Sequence, residues 1–153
     1  MKNYIKILLA ILFVFVIVSV FVYQKKPTIL PVSAEIVVGT YVAHLAKDVY
    51  TLNVLFQEGE SFKGTLDIKN FEKDSSSGTL TGTYKNGILL ADYTFQSEGT
   101  ESVNQVIFKK IGDDFVRGYG NMDATGTRFA DLNNITYDMS AIYKKVPSNG
   151  ATI

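Results

Sequence analysis

The chain has 153 residues, 46% of them apolar, with no Cys, no Trp and one His. That length makes one domain, and the missing residues exclude disulfides, thiol catalysis, a lipid-modified cysteine anchor and every metal site that needs thiolates or two imidazoles. Basic and acidic side chains balance at 15 each, which argues against nucleic acid as a partner, and no cofactor or metal is expected.

The balance is uneven along the chain. Residues 1–26 hold Lys2, Lys6, Lys25 and Lys26 and no acid, so the remainder carries 11 basic against 15 acidic side chains, a net of −4. Residues 7–23 carry polar groups only at Ser19 and Tyr23. As a helix the run spans about 25 Å, the short end of what a bilayer core requires. Tyr4 and Tyr23 stand where interfacial aromatics belong. A cleaved signal peptide is the competing reading, but Gln24-Lys25-Lys26-Pro27 is a poor cleavage site and Val32-Ser33-Ala34 lies well past the apolar run. The preferred reading of residues 1–26 is an uncleaved single-pass anchor, N-terminus inside, with the following domain outside the cytoplasm. Residues 27–38, with Pro27 and Pro31, form a tether.

Residues 39–146 read as strands. Tyr41 to Ala46 fits a helical turn or a strand; Gly39-Thr40 before it and Lys47-Asp48 after it favour a strand. Tyr50, Leu52, Val54 and Phe56 share one face of the next. After Glu58-Gly59-Glu60, Phe62, Gly64, Leu66 and Ile68 alternate with polar residues. A polar loop, Glu72 to Ser77, leads to Gly78, Leu80, Gly82 and Tyr84 on one face. Asn86-Gly87 is a strong hairpin signal. Leu89, Ala91, Tyr93 and Phe95 follow, then a strand marked by Val106 and Phe108, another from Phe115 to Tyr119, and one or two within Ile135 to Lys145. Residues 147–153 form a frayed tail.

Turn signals at short, regular spacing without intervening helices predict an all-β fold. Inward glycines at Gly64, Gly78 and Gly82 allow tight coiling, and short connections favour sequential pairing. The predicted architecture is a small antiparallel up-and-down β-barrel preceded by one transmembrane helix.

Gly78-Thr79-Leu80 with Gly82, Ala91 to Gly99, Val106-Ile107-Phe108 and Gly118-Tyr119-Gly120 together resemble a group of small, uncharacterised bacterial envelope proteins. The resemblance covers roughly Gly39 to Lys145 and implies a lipocalin-like barrel in the cell envelope. It implies no catalytic residues. Many of those proteins look like lipoproteins; here the apolar helix would replace the cysteine anchor.

Catalytic constellations are weak. His44 is the lone imidazole, with no Gly-x-Ser-x-Gly elbow to accompany it. Asn121-x-Asp123-x-Thr125-Gly126 has the opening rhythm of a calcium loop, but Leu132 stands where a bidentate Glu is needed. Asp113, Asp114, Asp123, Asp131 and Asp138 fall at turns or strand ends, and Ser75-Ser76-Ser77 reads as a loop tip. Asn134-Ile135-Thr136 is a glycosylation sequon in form only. No enzyme activity is expected.

The aromatic set carries more information. Seven Phe and seven Tyr lie beyond residue 26, and Tyr50, Phe56, Phe62, Tyr84, Tyr93, Phe95 and Phe108 fall on predicted inward faces. Such rings fill a small barrel or line a lumen that holds one ligand. On the rings alone core filling is the preferred reading; a buried phenol needs a partner, so the inward tyrosines suggest either an internal hydrogen-bond network or a polar-tipped pocket. The expected function is non-catalytic binding of a small apolar or amphipathic molecule. The alternative is a solid barrel that docks an envelope protein, with an exposed apolar patch near Phe71, Phe115 or Phe129.

Overall fold

The computed structural model describes Tyr4 and residues 35–72, 74–97 and 99–147. The expected membrane helix, residues 27–34 of the tether and the tail from Ser148 onward lie outside the described residues. No helix among the described residues is long and apolar enough to cross a membrane.

Alternating side chains produce eight strands: β1 (Gly39–Leu45), β2 (Asp48–Glu58), β3 (Ser61–Lys69), β4 (Ser76–Lys85), β5 (Ile88–Ser97), β6 (Thr100–Ile111), β7 (Asp114–Tyr119) and β8 (Thr136–Lys145). Each pairs antiparallel with the next, and β8 returns to β1 through Tyr41↔Lys145 and Val42↔Lys144, so the strands close into an up-and-down barrel in chain order. The ambiguous segment after Gly39 is a strand as far as Leu45. The Asn86-Gly87 turn has φ of 52° and 78° at its two central residues, the left-handed pair that matches the twist of a two-residue hairpin.

One inward face breaks phase. Val54 pairs with Gly64, but the next pair is Phe56↔Lys63, followed by Gln57↔Phe62. Leu55 is the extra residue of a β-bulge, which turns every later side chain of β2 to the opposite face. Phe56, expected inside, is therefore outside and 54% exposed, and Gln57 points in beside Phe62.

The two barrel ends differ. One carries the Gly59-Glu60, Asn86-Gly87 and Gly112-Asp113 turns and is closed by Glu35 to Val38, which the sequence placed in the tether. Val37 is 0% exposed; its N–H donates to Gln57 Oε1 at 2.9 Å and its carbonyl accepts from the Tyr41 hydroxyl at 2.8 Å. Above Val37 the interior is solid. Tyr41 meets Phe115 edge-on at 4.9 Å between ring centres, Phe108 meets Tyr143 edge-on at 5.2 Å, and Phe62, Tyr84 and Leu89 are buried with them.

Glu35 latches this end. One carboxylate oxygen pairs with Lys110 Nζ at 2.8 Å and the other accepts from the Tyr84 hydroxyl. Lys110 is the more enclosed partner, its side chain 15% exposed against 57% for Glu35. The Lys110 ammonium, with help from Tyr84, holds the Glu35 carboxyl below its usual value of 4.5. A carboxyl lowered by folding contributes stability that is present above its ordinary value and fades as pH falls through the lowered one. The stability difference between wild type and Glu35→Gln should therefore be widest near neutrality and shrink below about pH 4.5. Urea midpoints of both proteins from pH 7 to pH 3 check this; a difference that stays constant across that range contradicts the latch.

Candidate functional site

The opposite end carries the Ala46-Lys47 turn, the loop before β4, the turn between β5 and β6, and the long Gly120–Ile135 connection. β6 and β7 pair only from Ile107↔Gly118 to Ile111↔Asp114. Beyond Ile107 towards this end, the connection takes the place of a strand. Gln105 N–H donates to Thr127 O at 2.7 Å, Phe129 N–H donates to Gln105 Oε1 at 3.2 Å, and Arg128 pairs with Asp92 at 3.1 Å. A short β7 beside a long β6 thus opens the wall, and a loop re-covers it.

A cavity of about 360 Å³ sits at this end. Ile68, Ser76, Tyr93, Phe95, Asn104, Val106, Arg117 and Tyr119 line it from the strands, and Met122, Gly126 and Phe129 line it from the connection. That volume lies at the low end of the range for small-molecule sites. Its walls are mixed: Tyr93 and Phe95 stack at 4.8 Å, and the Tyr93 hydroxyl shares a hydrogen bond with Ser76 Oγ at 3.0 Å.

The seven rings proposed from sequence divide into three groups. Tyr93 and Phe95 line the cavity. Phe62, Tyr84 and Phe108 belong to the solid interior, and Tyr50 packs against it, stacked on Tyr143 at 6.4 Å with its hydroxyl donating to Asp48 Oδ2 at 3.1 Å. Phe56 lies outside. Tyr41, Phe62, Tyr84, Phe108, Phe115 and Tyr143 converge over the lower barrel and fill it. Of the residues suggested for an exposed patch, Phe71 is exposed, Phe129 is half-buried at the cavity, and Phe115 is fully buried in the core.

Sequence reading passed over Arg117. Phe108↔Arg117 is a direct cross-strand pair, so the guanidinium faces inward on the same side as a fully buried ring. The signal was present: Phe115, Arg117 and Tyr119 alternate, and an inward Phe115 carries Arg117 inward with it. The guanidinium lies 5.4 Å from the Tyr119 ring centre. Burial raises the phenol pKa values of Tyr50, Tyr93 and Tyr143, so all three stay neutral hydroxyls at physiological pH. For Tyr143 the nearby Arg117 guanidinium opposes part of that rise.

The remaining sequence candidates sit in ordinary surroundings. His44 is exposed on β1. Asp123 caps its own turn, accepting from Thr125 N–H at 3.0 Å and from the Thr125 hydroxyl at 2.6 Å. Those bonds lower its pKa. Asp131 and Asp138 accept in the same way from Asn133 and Ser140, and Asp114 accepts from Lys145 N–H and Lys144 Nζ. Among the described residues no cluster of three or more acidic or imidazole groups is placed to hold a metal ion. Comparison with protein-family models, with curated proteins and with solved structures gives no match.

Proposed function

We propose that this chain is a non-catalytic binding barrel that takes one small amphipathic molecule at its open end, anchored by residues 7–23 and working outside the cytoplasm in a bacterial envelope. The cavity of about 360 Å³ at the end opposite the Glu35 latch carries this reading. It combines stacked rings with Ser76, Asn104 and tyrosine hydroxyls, the mixture that orients a molecule with one apolar and one polar part. The solid interior below limits the ligand to the mouth, so a long chain buried along the barrel axis does not fit the proposal. Export rests on the apolar, lysine-flanked N-terminus and on the resemblance to envelope proteins.

Native mass spectrometry of the full chain, extracted gently from cells that export it, tests the reading. The expected result is a reproducible added mass that leaves on denaturation. A bare chain that also takes up no added amphiphile contradicts it. That outcome would turn attention to the docking alternative, which the outward Leu55 and Phe56, 65% and 54% exposed side by side at the bulge, favour.

A further inference from the structure

We propose that the ligand's polar end is anionic and is held by Arg117, making the open-end cavity a site for a small amphipathic anion such as a short-chain carboxylate. This rests on the binding function proposed above and names its ligand class.

The argument starts from an unbalanced charge. A guanidinium stays protonated throughout the physiological range and loses much of its hydration on turning into a barrel, so such groups are normally paired with carboxylates. Arg117 is half-buried, faces inward and lines the cavity, yet it has no carboxylate within ion-pair distance among the described residues. The four ion pairs there use Lys85, Lys110, Arg128 and Lys144 instead.

The cavity lining around Arg117 contains no carboxylate among the described residues. Tyr143 and Tyr93 are neutral phenols, and the Tyr143 hydroxyl accepts a hydrogen bond from the Arg117 guanidinium. Two acids lie near this end but outside the lining and beyond ion-pair distance of Arg117: Asp48 accepts from the Tyr50 hydroxyl and from Phe71 N–H at 2.7 Å, and Asp67 accepts from the Ser77 hydroxyl. A planar carboxylate can therefore take two guanidinium N–H bonds in the fork geometry that favours arginine over lysine. Stacked Tyr93 and Phe95, with Val106 and Ile68, give its short tail an apolar wall. The mildly acidic domain surface gives no general attraction for anions. Selection for the anion therefore lies inside the cavity.

The test uses the full chain in detergent and three eight-carbon probes read by calorimetry: octanoate, octanol and octyltrimethylammonium. Octanoate should bind about tenfold to a hundredfold more tightly than octanol, the worth of a charge-assisted bond to a buried cation, and the ammonium probe should bind most weakly. Arg117→Met should remove that preference, so that octanoate binds no more tightly than octanol, and Arg117→Lys should keep part of it. Equal affinities for octanoate and octanol in the wild type overturn the anion assignment and leave the binding function standing. Binding of no probe at all overturns both. Because the head-group comparison is made in the wild type, it stands even if the Arg117→Met chain folds poorly.

Discussion

Gly64→Val should give a chain with no cooperative unfolding transition, and Gly64→Ala should already cost more than about 3 kcal/mol, beyond the usual range for overpacking. The cause is a backbone approach, not a side-chain clash. A Cβ built on Gly64 would lie 2.0 Å from the carbonyl oxygen of Asn53 on the neighbouring strand and 3.1 Å from its carbon. Neither atom can swing away as a side chain could. The β2–β3 ladder must separate just beside the bulge at Leu55, which increases the local twist. Total stability of a domain this size is only about 5–15 kcal/mol. Gly78 and Gly82 face the same obstacle, at 2.1 Å from the Thr94 and Leu90 carbonyl oxygens. Gly87→Ala is the control: its φ of 78° strains an alanine, but nothing lies within 4 Å, so it should lose only about 1 kcal/mol. Urea denaturation followed by circular dichroism separates the cases. A Gly64→Ala loss no larger than that of Gly87→Ala would mean that the strands are not so closely coiled.

Phe108→Ala should lose about 3–5 kcal/mol, the usual cost of deleting a fully enclosed ring. Phe108 is 0% exposed and lies edge-on to Tyr143 between the filled end and the cavity. Its removal takes away transfer energy and ring contact together and leaves a hole that β-strands cannot collapse to fill. Phe56→Ser gives the contrast. Both rings were assigned inward from alternation, yet the exposed Phe56 should change stability by less than about 0.5 kcal/mol. Similar losses at the two positions in thermal or urea melts would mean that β2 continues in phase past Val54.

These two predictions also separate what local pattern reveals from what it hides. Strand period is a property of each short stretch, so the alternations from Tyr50, Phe62, Gly78 and Leu89 were legible without any partner. The Asn86-Gly87 turn was legible for the same reason, since its backbone conformation depends on its own two residues. Leu55 was not. Leu55 and Phe56 are adjacent and both apolar, and which one is the extra residue depends on Gln57 reaching Phe62 across the strand pair and Val37 beneath it. Arg117 could have been placed by alternation with Phe115, but that no carboxylate among the described residues pairs with it depends on how the rest of the barrel is arranged.

The sequence alone determined an all-β domain with closely coiled strands and sequential turns, because alternation, turn chemistry and inward glycines act over a few residues. Only the tertiary structure decided which end of the barrel is solid and which is open. Glu35 meets Tyr84 across 49 residues of chain, and β7 ends at Tyr119 while its neighbour β6 continues. Filling at a given height in a barrel is the sum of side chains from all eight strands, set by their register and shear, and no single strand carries that sum.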